Sequence, residues 1–194
     1  MGTTPRMTSA DLLNFPDDGK LREVIDGELY VSSQPHWYHQ VLCNRLGRFL
    51  DAWSDETQAG QAAAAPGLIF AEDDDVAPDI VWASSERLAR ILTGGKLRAA
   101  PELVIEVLSP GGRNISRDRE TKLKLYARRD VDEYWIADWP THRVECYRRA
   151  GAGLALAVTV GPGETLTSPA LTGFALPLDR LFAGIPLGLP EGTV

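Results

Sequence analysis

One stretch constrains the fold of this chain more than any other: the apolar run that follows Pro101. The residues Leu-Val-Ile-Glu-Val-Leu occupy positions 103–108, and a second proline, Pro110, follows them. A short, partly β-branched run between prolines is typical of a central strand that is buried on both faces. Glu106 lies inside this run, and a buried carboxylate is costly unless it is paired, protonated or bound to a metal ion. We therefore expect the folded protein to provide a partner for Glu106.

Patterns before this run predict a hairpin and a long helix. Two strand-like segments, 21–25 and 28–32, flank the pair Asp26-Gly27, which is a strong β-hairpin signal. From His36 to about Trp53, apolar residues recur at helical spacing and predict an amphipathic helix. The small-residue stretch 60–65 is interpreted as a spacer. The acidic run 72–75 is interpreted as a solvated loop or strand end.

Patterns after Pro66 complete a mixed architecture. Residues 116–129 are a strong helix candidate, with Leu123, Tyr126 and Ala127 facing inward. Further strands are expected at 67–70, 78–82, 133–138, 143–148 and 154–160. The simplest arrangement is α/β (α+β mixed): a central mixed β-sheet flanked by helices, with an N-terminal β-hairpin and a C-terminal β-hairpin extension.

Composition indicates a globular protein without a broad basic surface. The chain has 194 residues, 44% of them hydrophobic, and a formal net charge of −7. This length fits a single domain, 1–194, with its core at about 8–184. No apolar run is long enough to span a membrane and no signal peptide is apparent. Cys43 and Cys146 fit no metal-ligand spacing, so we interpret both as free or buried thiols in a reducing cytoplasm.

The charge is nevertheless uneven along the chain. Basic residues crowd the helix after the central strand: Arg113, Arg117, Arg119, Lys122, Lys124, Arg128 and Arg129. A run of this kind is ordinarily a solvated helix face. The alternative is a surface that steers a phosphate backbone past an otherwise acidic protein.

Three side chains form the candidate reactive constellation: Asp79, Glu106 and Lys122. Asp79 follows a proline at the start of an apolar strand, so the two carboxylates can meet if their strands are neighbours. Two carboxylates and a backbone carbonyl, here that of Val107, suit a hard cation such as Mg2+. Each residue also has a plainer interpretation. Asp79 could accept backbone hydrogen bonds, Glu106 could pair with an arginine or with His39, and Lys122 could pair with Asp118.

Five segments of the chain, in order, resemble one nuclease family. They are Arg-Glu-Val-Ile-Asp-Gly-Glu-Leu at 22–29, Ala-Pro-Asp-Ile-Val at 77–81, Pro-Glu-Leu-Val-Ile-Glu-Val-Leu-Ser-Pro at 101–110, Asp-Arg-Glu-Thr-Lys-Leu-Lys-Leu-Tyr-Ala at 118–127 and Asp-Glu-Tyr-Trp-Ile-Ala-Asp at 132–138. Together they resemble the Uma2-type restriction endonucleases of the PD-(D/E)XK nuclease superfamily. The resemblance covers about residues 8–184.

The resemblance implies Mg2+-dependent hydrolysis of phosphodiester bonds in DNA, with Mn2+ as a possible substitute. Asp79 and Glu106 match the metal carboxylates, and Val107 matches the residue whose carbonyl completes the shell. The usual lysine would stand at position 108, where this chain has Leu108. Lys122 matches the lysine that the family takes from the following helix, whereas Lys124 does not match.

The resemblance also implies secondary residues and partners. Possible secondary site residues are Glu23, Glu28, His39 and Asp118. Candidate nucleic-acid contacts are Arg113, Arg117, Arg119 and Lys124. Duplex DNA and a second copy of the chain, as a homodimer, are the expected partners.

Two other functions compete with an endonuclease. Leu108 at the usual lysine position and the net negative charge favour a binding module that kept the fold and lost catalysis. A metal-dependent phosphoesterase acting on another substrate is the remaining alternative.

Overall fold

The protein was studied as a computed structural model, which describes residues 6–32, 34–109 and 112–189, with only the backbone of residues 112 and 113. The helices are α1 (Ser9–Leu12), α2 (Trp37–Thr57), α3 (Ser85–Ile91), α4 (Gly112–Ser116), α5 (Leu123–Arg128) and α6 (Leu178–Leu181). A π-helical segment, Arg117–Lys122, connects α4 to α5. The strands are β1 (Leu21–Ile25), β2 (Glu28–Ser32), β3 (Gly60–Ala64), β4 (Leu68–Ala71), β5 (Asp74–Val76), β6 (Ile80–Ser84), β7 (Leu92–Thr93), β8 (Lys96–Leu97), β9 (Leu103–Val107), β10 (Glu133–Asp138), β11 (Arg143–Ala150), β12 (Gly153–Val160), β13 (Thr165–Thr167) and β14 (Ala175–Pro177).

Two six-stranded sheets and a small hairpin organise these residues. The first sheet has the order β2-β1-β5-β4-β8-β7, the second has the order β12-β11-β10-β9-β6-β3, and β13 pairs with β14. In the second sheet, β9 runs parallel to β10 and antiparallel to β6. The predicted mixed sheet flanked by helices is therefore confirmed, and the strands predicted at 133–138 and 143–148 pair antiparallel as the hairpin of β10 and β11.

The central strand β9 is buried along its whole length, as its apolar sequence predicts. Alternate residues serve two hydrophobic cores because successive side chains of a strand point to opposite faces. Leu103, Ile105 and Val107 join the core that includes α2 residues. Val104 joins the core that contains Tyr126 and Tyr134. Glu106 falls on the same face as Val104, which places its carboxylate beneath α5.

The N-terminal hairpin is also confirmed. β1 and β2 pair antiparallel with Ile25 opposite Glu28, so Asp26 and Gly27 form a two-residue turn. Both turn residues have positive φ, 53° and 76°. This is the backbone conformation for which an Asp-Gly pair is favoured.

The structure corrects the interpretation of two segments. Gly60–Ala64 is not a spacer but the edge strand β3, paired with β6. A Cβ at Gly60 would lie 2.2 Å from the carbonyl oxygen of Ala83, so glycine permits this close pairing. Of the two alternatives for the acidic run, the strand end fits and the solvated loop was wrong, since Glu72 and Asp73 form a turn and Asp74 and Asp75 are buried at the start of β5. Tertiary pairing outweighs the weak strand preference of Ala, Gly and Asp in both segments.

Asp74 is buried because two consecutive arginines neutralise it. Arg128 donates to both carboxylate oxygens at 2.8 and 2.9 Å. Arg129 donates through Nε at 3.0 Å, and the Asp26 amide donates at 2.9 Å. These contacts fasten the end of α5 to the first sheet.

Asp74→Asn is expected to lower the free energy of unfolding by about 2 kcal/mol, because it leaves two partly exposed arginines without their anion. Burial alone raises the pKa of Asp74, but the Asp26 amide and both arginines outweigh it and lower the pKa. The stabilisation of the fold by ionised Asp74 is complete above the pKa of Asp in the unfolded chain, about 3.9. It is lost as pH falls through the lower pKa of Asp74 in the folded protein. When the free energy of unfolding is measured by urea denaturation at several pH values, it should fall less steeply toward acid pH in Asp74→Asn than in the wild type. Asp73→Asn, at a more exposed carboxylate, should change stability by less than about 0.5 kcal/mol.

No helix among the described residues is both long and apolar enough to cross a membrane.

Candidate active site

The register of two neighbouring strands brings Asp79 and Glu106 together. Ile80 of β6 lies opposite Ile105 of β9, and extending this antiparallel register by one position places Asp79 opposite Glu106. Directly opposite residues in an antiparallel pair point to the same face of the sheet. The amide of Val107 also donates to Oδ2 of Asp79 at 2.8 Å. The two carboxylates therefore share one face and one end of the strand pair.

A cavity of about 290 Å3 opens over this face. Residues of both six-stranded sheets, of α2 and of the π-helical segment line it. Its ionisable lining residues include four carboxylates, two cations and a histidine: Glu23, Asp79, Glu106, Asp118, Lys122, Arg117 and His39.

Lys122 crosses the bottom of the cavity between two carboxylates. Its Nζ lies 2.9 Å from Oε1 of Glu106 and 3.0 Å from Oε1 of Glu23. The hydroxyl of Tyr126 also donates to Oε1 of Glu106, at 2.8 Å. Only 2% of the surface of Lys122 is exposed. The carboxylates of Glu106 and Glu23 therefore replace the water that would otherwise solvate its ammonium group. Lys122 and Tyr126 thus supply the hydrogen bonds that the buried carboxylate of Glu106 requires.

Glu23 links the first sheet to this network. Its Oε1 accepts the amide of Ala77 at 3.0 Å and contacts Lys122. Its Oε2 is buried and has no hydrogen bond within the described residues. The nearest cation in an ion pair is Nη1 of Arg117, 4.0 Å away. A buried carboxylate oxygen without a donor in a cavity is a candidate ligand atom.

Asp118 and Lys122 both face the cavity from the helical stretch that follows β9. Residues 116–129 form a helix as predicted, but its 117–122 stretch has π geometry. Asp118 and Lys122 are buried, whereas the intervening Glu120 is not. The hydroxyl of Tyr134 donates to the carbonyl of Asp118 at 3.0 Å. π-Helical turns occur often at functional sites.

Arg117 forms the rim of the cavity beside Asp118. Its Nε donates to Oδ1 of Asp118 at 3.1 Å, and its Nη1 donates to Oγ of Ser32 at 2.9 Å. Burial alone raises the pKa of Asp118, the charges of Lys122 and Arg117 oppose this, and the net direction is upward. Arg117 thus supplies positive charge where the cavity meets the N-terminal hairpin.

His39 and Cys43 of α2 approach Asp79 from the other side. Nε2 of His39 lies 3.2 Å from Oδ2 of Asp79, and Nδ1 lies 3.6 Å from Sγ of Cys43. Burial alone would raise the pKa of Asp79, but His39, the Val107 amide and Lys122 together lower it. The site therefore favours the ionised form of Asp79.

Glu106 behaves in the opposite way. Burial raises its pKa to about 8, against the opposing charge of Lys122 and with the help of Asp79, Asp118 and Glu23. Burial also disfavours the charged form of Lys122, but Glu106, Glu23 and Asp118 outweigh it and raise its pKa above the ordinary value. Two neighbouring carboxylates with pKa values displaced in opposite directions are typical of active sites.

The structure places the remaining candidates at different locations. Glu28 does not line the cavity and accepts a hydrogen bond from Tyr30. Arg119 is paired with Asp138 and with Glu145, at 3.2 and 2.7 Å. Lys124 is exposed. The side chain of Arg113 lies outside the described part of the chain.

Two residues of the site were not among the sequence candidates. Tyr126 was expected only to face inward, yet it contacts Glu106. Cys43 was interpreted as a free or buried thiol, which is confirmed, and it also contacts His39. Both stand four residues after a site residue on a helix, Lys122 and His39 respectively. This i,i+4 spacing was the available signal, because such residues lie on one helical face.

Comparisons with protein families and with solved structures found matches to this chain. A family model described as Uma2, putative restriction endonuclease, matches residues 9–179. A crystal structure of a putative nuclease belonging to DUF820 from Anabaena variabilis ATCC 29413 is similar in fold, with a TM-score of 0.71 and 18% sequence identity. The similarity covers 91% of this chain and 97% of that one. No curated protein matches the chain significantly. Because the family model spans most of the sequence, the chain belongs to the Uma2 family of putative restriction endonucleases.

Proposed function

We propose that this protein is a Mg2+-dependent DNA endonuclease that hydrolyses phosphodiester bonds. Asp79, Glu106 and the carbonyl of Val107 would hold the ion, with Lys122 assisting. One observation carries the proposal: Asp79, Glu106 and Lys122, distant in sequence, line one cavity that contains more carboxylates than cations. The family description, putative restriction endonuclease, supports this class of reaction, and duplex DNA is the substrate that we propose.

The charges of the cavity suit a divalent cation. Four carboxylates face one lysine and one arginine, so the ionised carboxylates exceed these cations by two negative charges. The raised pKa of Glu106, to about 8, is a consequence of burial and of this excess. The buried Oε2 of Glu23, which has no donor among the described residues, points to the same deficit of positive charge. A divalent cation would compensate this excess of two negative charges.

The donor atoms also fit magnesium. The contacts described above use Oδ2 of Asp79 and Oε1 of Glu106, and the second oxygen of each carboxylate can serve as a ligand. Mg2+ prefers oxygen ligands and retains several waters, for which the cavity has room. When bound, the ion would polarise the scissile phosphate and lower the pKa of a water molecule.

Lys122 is assigned an electrostatic role. Its raised pKa keeps the ammonium group protonated at neutral pH, so it is unsuited to accept a proton from the attacking water. A fixed, buried cation stabilises the negative charge that develops on a phosphate in the transition state. Glu23, Glu106 and Tyr126 position this cation, directly or through the shared carboxylate.

Contacts with DNA are assigned to Arg117 and Lys124, with Arg113 beside them in sequence. Arg117 lines the cavity and Lys124 is exposed on the same helical stretch. Arg119 contributes less because its guanidinium is already paired with two carboxylates. With a net charge of −7, the protein depends on this local surface, and DNA affinity should fall steeply with salt.

We also propose that two copies pair, so that two active sites meet the two strands of a duplex. The exposed edge strand β12 is free of charged residues, and Leu156 and Val158 are exposed on it. An uncharged sheet edge of this kind is suited to pairing with another chain.

Incubation with supercoiled plasmid tests the proposal. We expect conversion to nicked or linear DNA in Mg2+ or Mn2+, and none when a chelator replaces the ion. Linear product formed without a nicked intermediate would indicate paired sites, and nicked product alone would indicate single sites.

The same assay separates the competing functions. Salt-sensitive DNA binding without cleavage in either ion would contradict the endonuclease and favour a binding module. Metal-dependent hydrolysis of small phosphodiesters or nucleotides, with plasmid left intact, would favour a phosphoesterase of different substrate class.

A further inference from the structure

We propose that His39, Cys43 and Asp79 form a second metal site, which selects zinc-class ions rather than magnesium. One ligand atom from each residue lies within 4.8 Å of the other two. His39 and Cys43 are four residues apart on α2, so the helix presents both to Asp79 at the start of β6. This inference concerns ion binding alone and does not depend on cleavage of DNA.

The distances are close to those of a tetrahedral site. With metal–ligand distances of about 2.0–2.3 Å, neighbouring ligand atoms lie roughly 3.3–3.7 Å apart. The Nδ1–Sγ contact of His39 and Cys43 is 3.6 Å. The other pairs need to close by about 1 Å at most, which side-chain rotation can provide. Without an ion, the two ring nitrogens of His39 hold the three residues in place, Nδ1 against Sγ of Cys43 and Nε2 against Oδ2 of Asp79.

The ligand types determine the selectivity. Imidazole, thiolate and carboxylate together suit Zn2+ or Co2+, whereas Mg2+ binds oxygen ligands almost exclusively. The proposed magnesium ligands are all oxygens. Asp79 is the residue common to both sets, and its Oδ2 is the atom that faces His39.

An ion can reach this position from the cavity. His39 and Asp79 both line the cavity, and its water can occupy the fourth ligand position. Cys43 and His39 are only 8% and 6% exposed, so the ligands are screened from bulk solvent. Coordination of Cys43 requires its thiol to release one proton to solvent, and the ion replaces that proton on sulfur.

Titration of the metal-free chain with Co2+, in a thiol-free reductant, tests the site. We expect one Co2+ per chain with intense visible bands of tetrahedral geometry and a near-ultraviolet thiolate-to-cobalt charge-transfer band. Equimolar Zn2+ should abolish this spectrum. Co2+ held only by the oxygens of Asp79 and Glu106 would instead give a weak spectrum without the thiolate band.

The second buried cysteine provides the matched control. Cys146 is also free and buried, and it belongs to no such cluster among the described residues. Cys43→Ser should lose the thiolate band, Cys146→Ser should retain it, and His39→Gln should weaken Co2+ binding at least about tenfold. Circular dichroism establishes that each variant is folded. A wild-type spectrum without the band, or a band that survives in Cys43→Ser, would overturn the site.

Discussion

Asp79→Asn is expected to reduce Mg2+-dependent plasmid cleavage by at least about 10³-fold, which corresponds to about 4 kcal/mol of transition-state stabilisation. The asparagine keeps the shape of the side chain, and its oxygen can still accept the amide of Val107. It removes the negative charge from a carboxylate whose environment favours ionisation. The loss would therefore reflect the missing ion ligand and not a displaced strand.

Cleavage rates of Asp79→Asn and Glu106→Gln, measured at saturating Mg2+, check this expectation. Both should lose activity to a similar extent, since each would remove one of the two side-chain ligands. Glu56→Gln, an exposed carboxylate in α2, is the control and should cleave at the wild-type rate. A Glu106→Gln variant that retained full activity would remove this residue from the catalytic assignment.

Stability should change little in one of these variants, Glu106→Gln. Glu106 lies in an excess of negative charge that raises its pKa to about 8. Replacing it by neutral glutamine relieves this repulsion, while Tyr126 can still donate to the amide oxygen. We expect the melting temperature of the metal-free protein to stay the same or rise. Active sites often sacrifice stability in this way for function.

Lys122→Met is expected to lower both stability and activity. Methionine fills most of the same volume, but it leaves the buried carboxylates of Glu23 and Glu106 without their shared cation. Removing one partner from a buried ion pair costs about 3–5 kcal/mol. Cleavage should fall by about 10²–10³-fold because the cation that stabilises the developing phosphate charge is lost. Chemical denaturation and plasmid cleavage measure the two effects.

A charge-balanced variant separates these two roles of Lys122. Adding Glu106→Gln and Glu23→Gln to Lys122→Met removes the stranded carboxylates and should recover most of the stability, but not the activity. Lys124→Met, two residues away and exposed, should change the free energy of unfolding by less than about 0.5 kcal/mol. If Lys122→Met were as stable as Lys124→Met, the buried network would not have the energetic role inferred here.

Part of the site could be predicted because it follows from short-range patterns. Glu106, inside the apolar run 103–108, required a partner. The apolar strand after Pro78 was suited to lie beside this run in a sheet. Antiparallel pairing then places Asp79 and Glu106 on one face through register alone. Lys122 was expected in the same site, but its direct contact with Glu106 and that of Tyr126 were not predicted, because the sequence leaves open the rotation of their helix.

Local patterns were sufficient to predict the strand β9, the hairpin at Asp26-Gly27 and the family of the chain, since these depend on neighbouring residues and ordered motifs. Long-range packing was needed to show that β3 is a strand, that Arg128 and Arg129 neutralise Asp74, and that Lys122 is buried between Glu106 and Glu23. These features depend on strand pairing and on the burial of charge against residues distant in sequence. Such energies are set by long-range packing, which local sequence patterns do not encode.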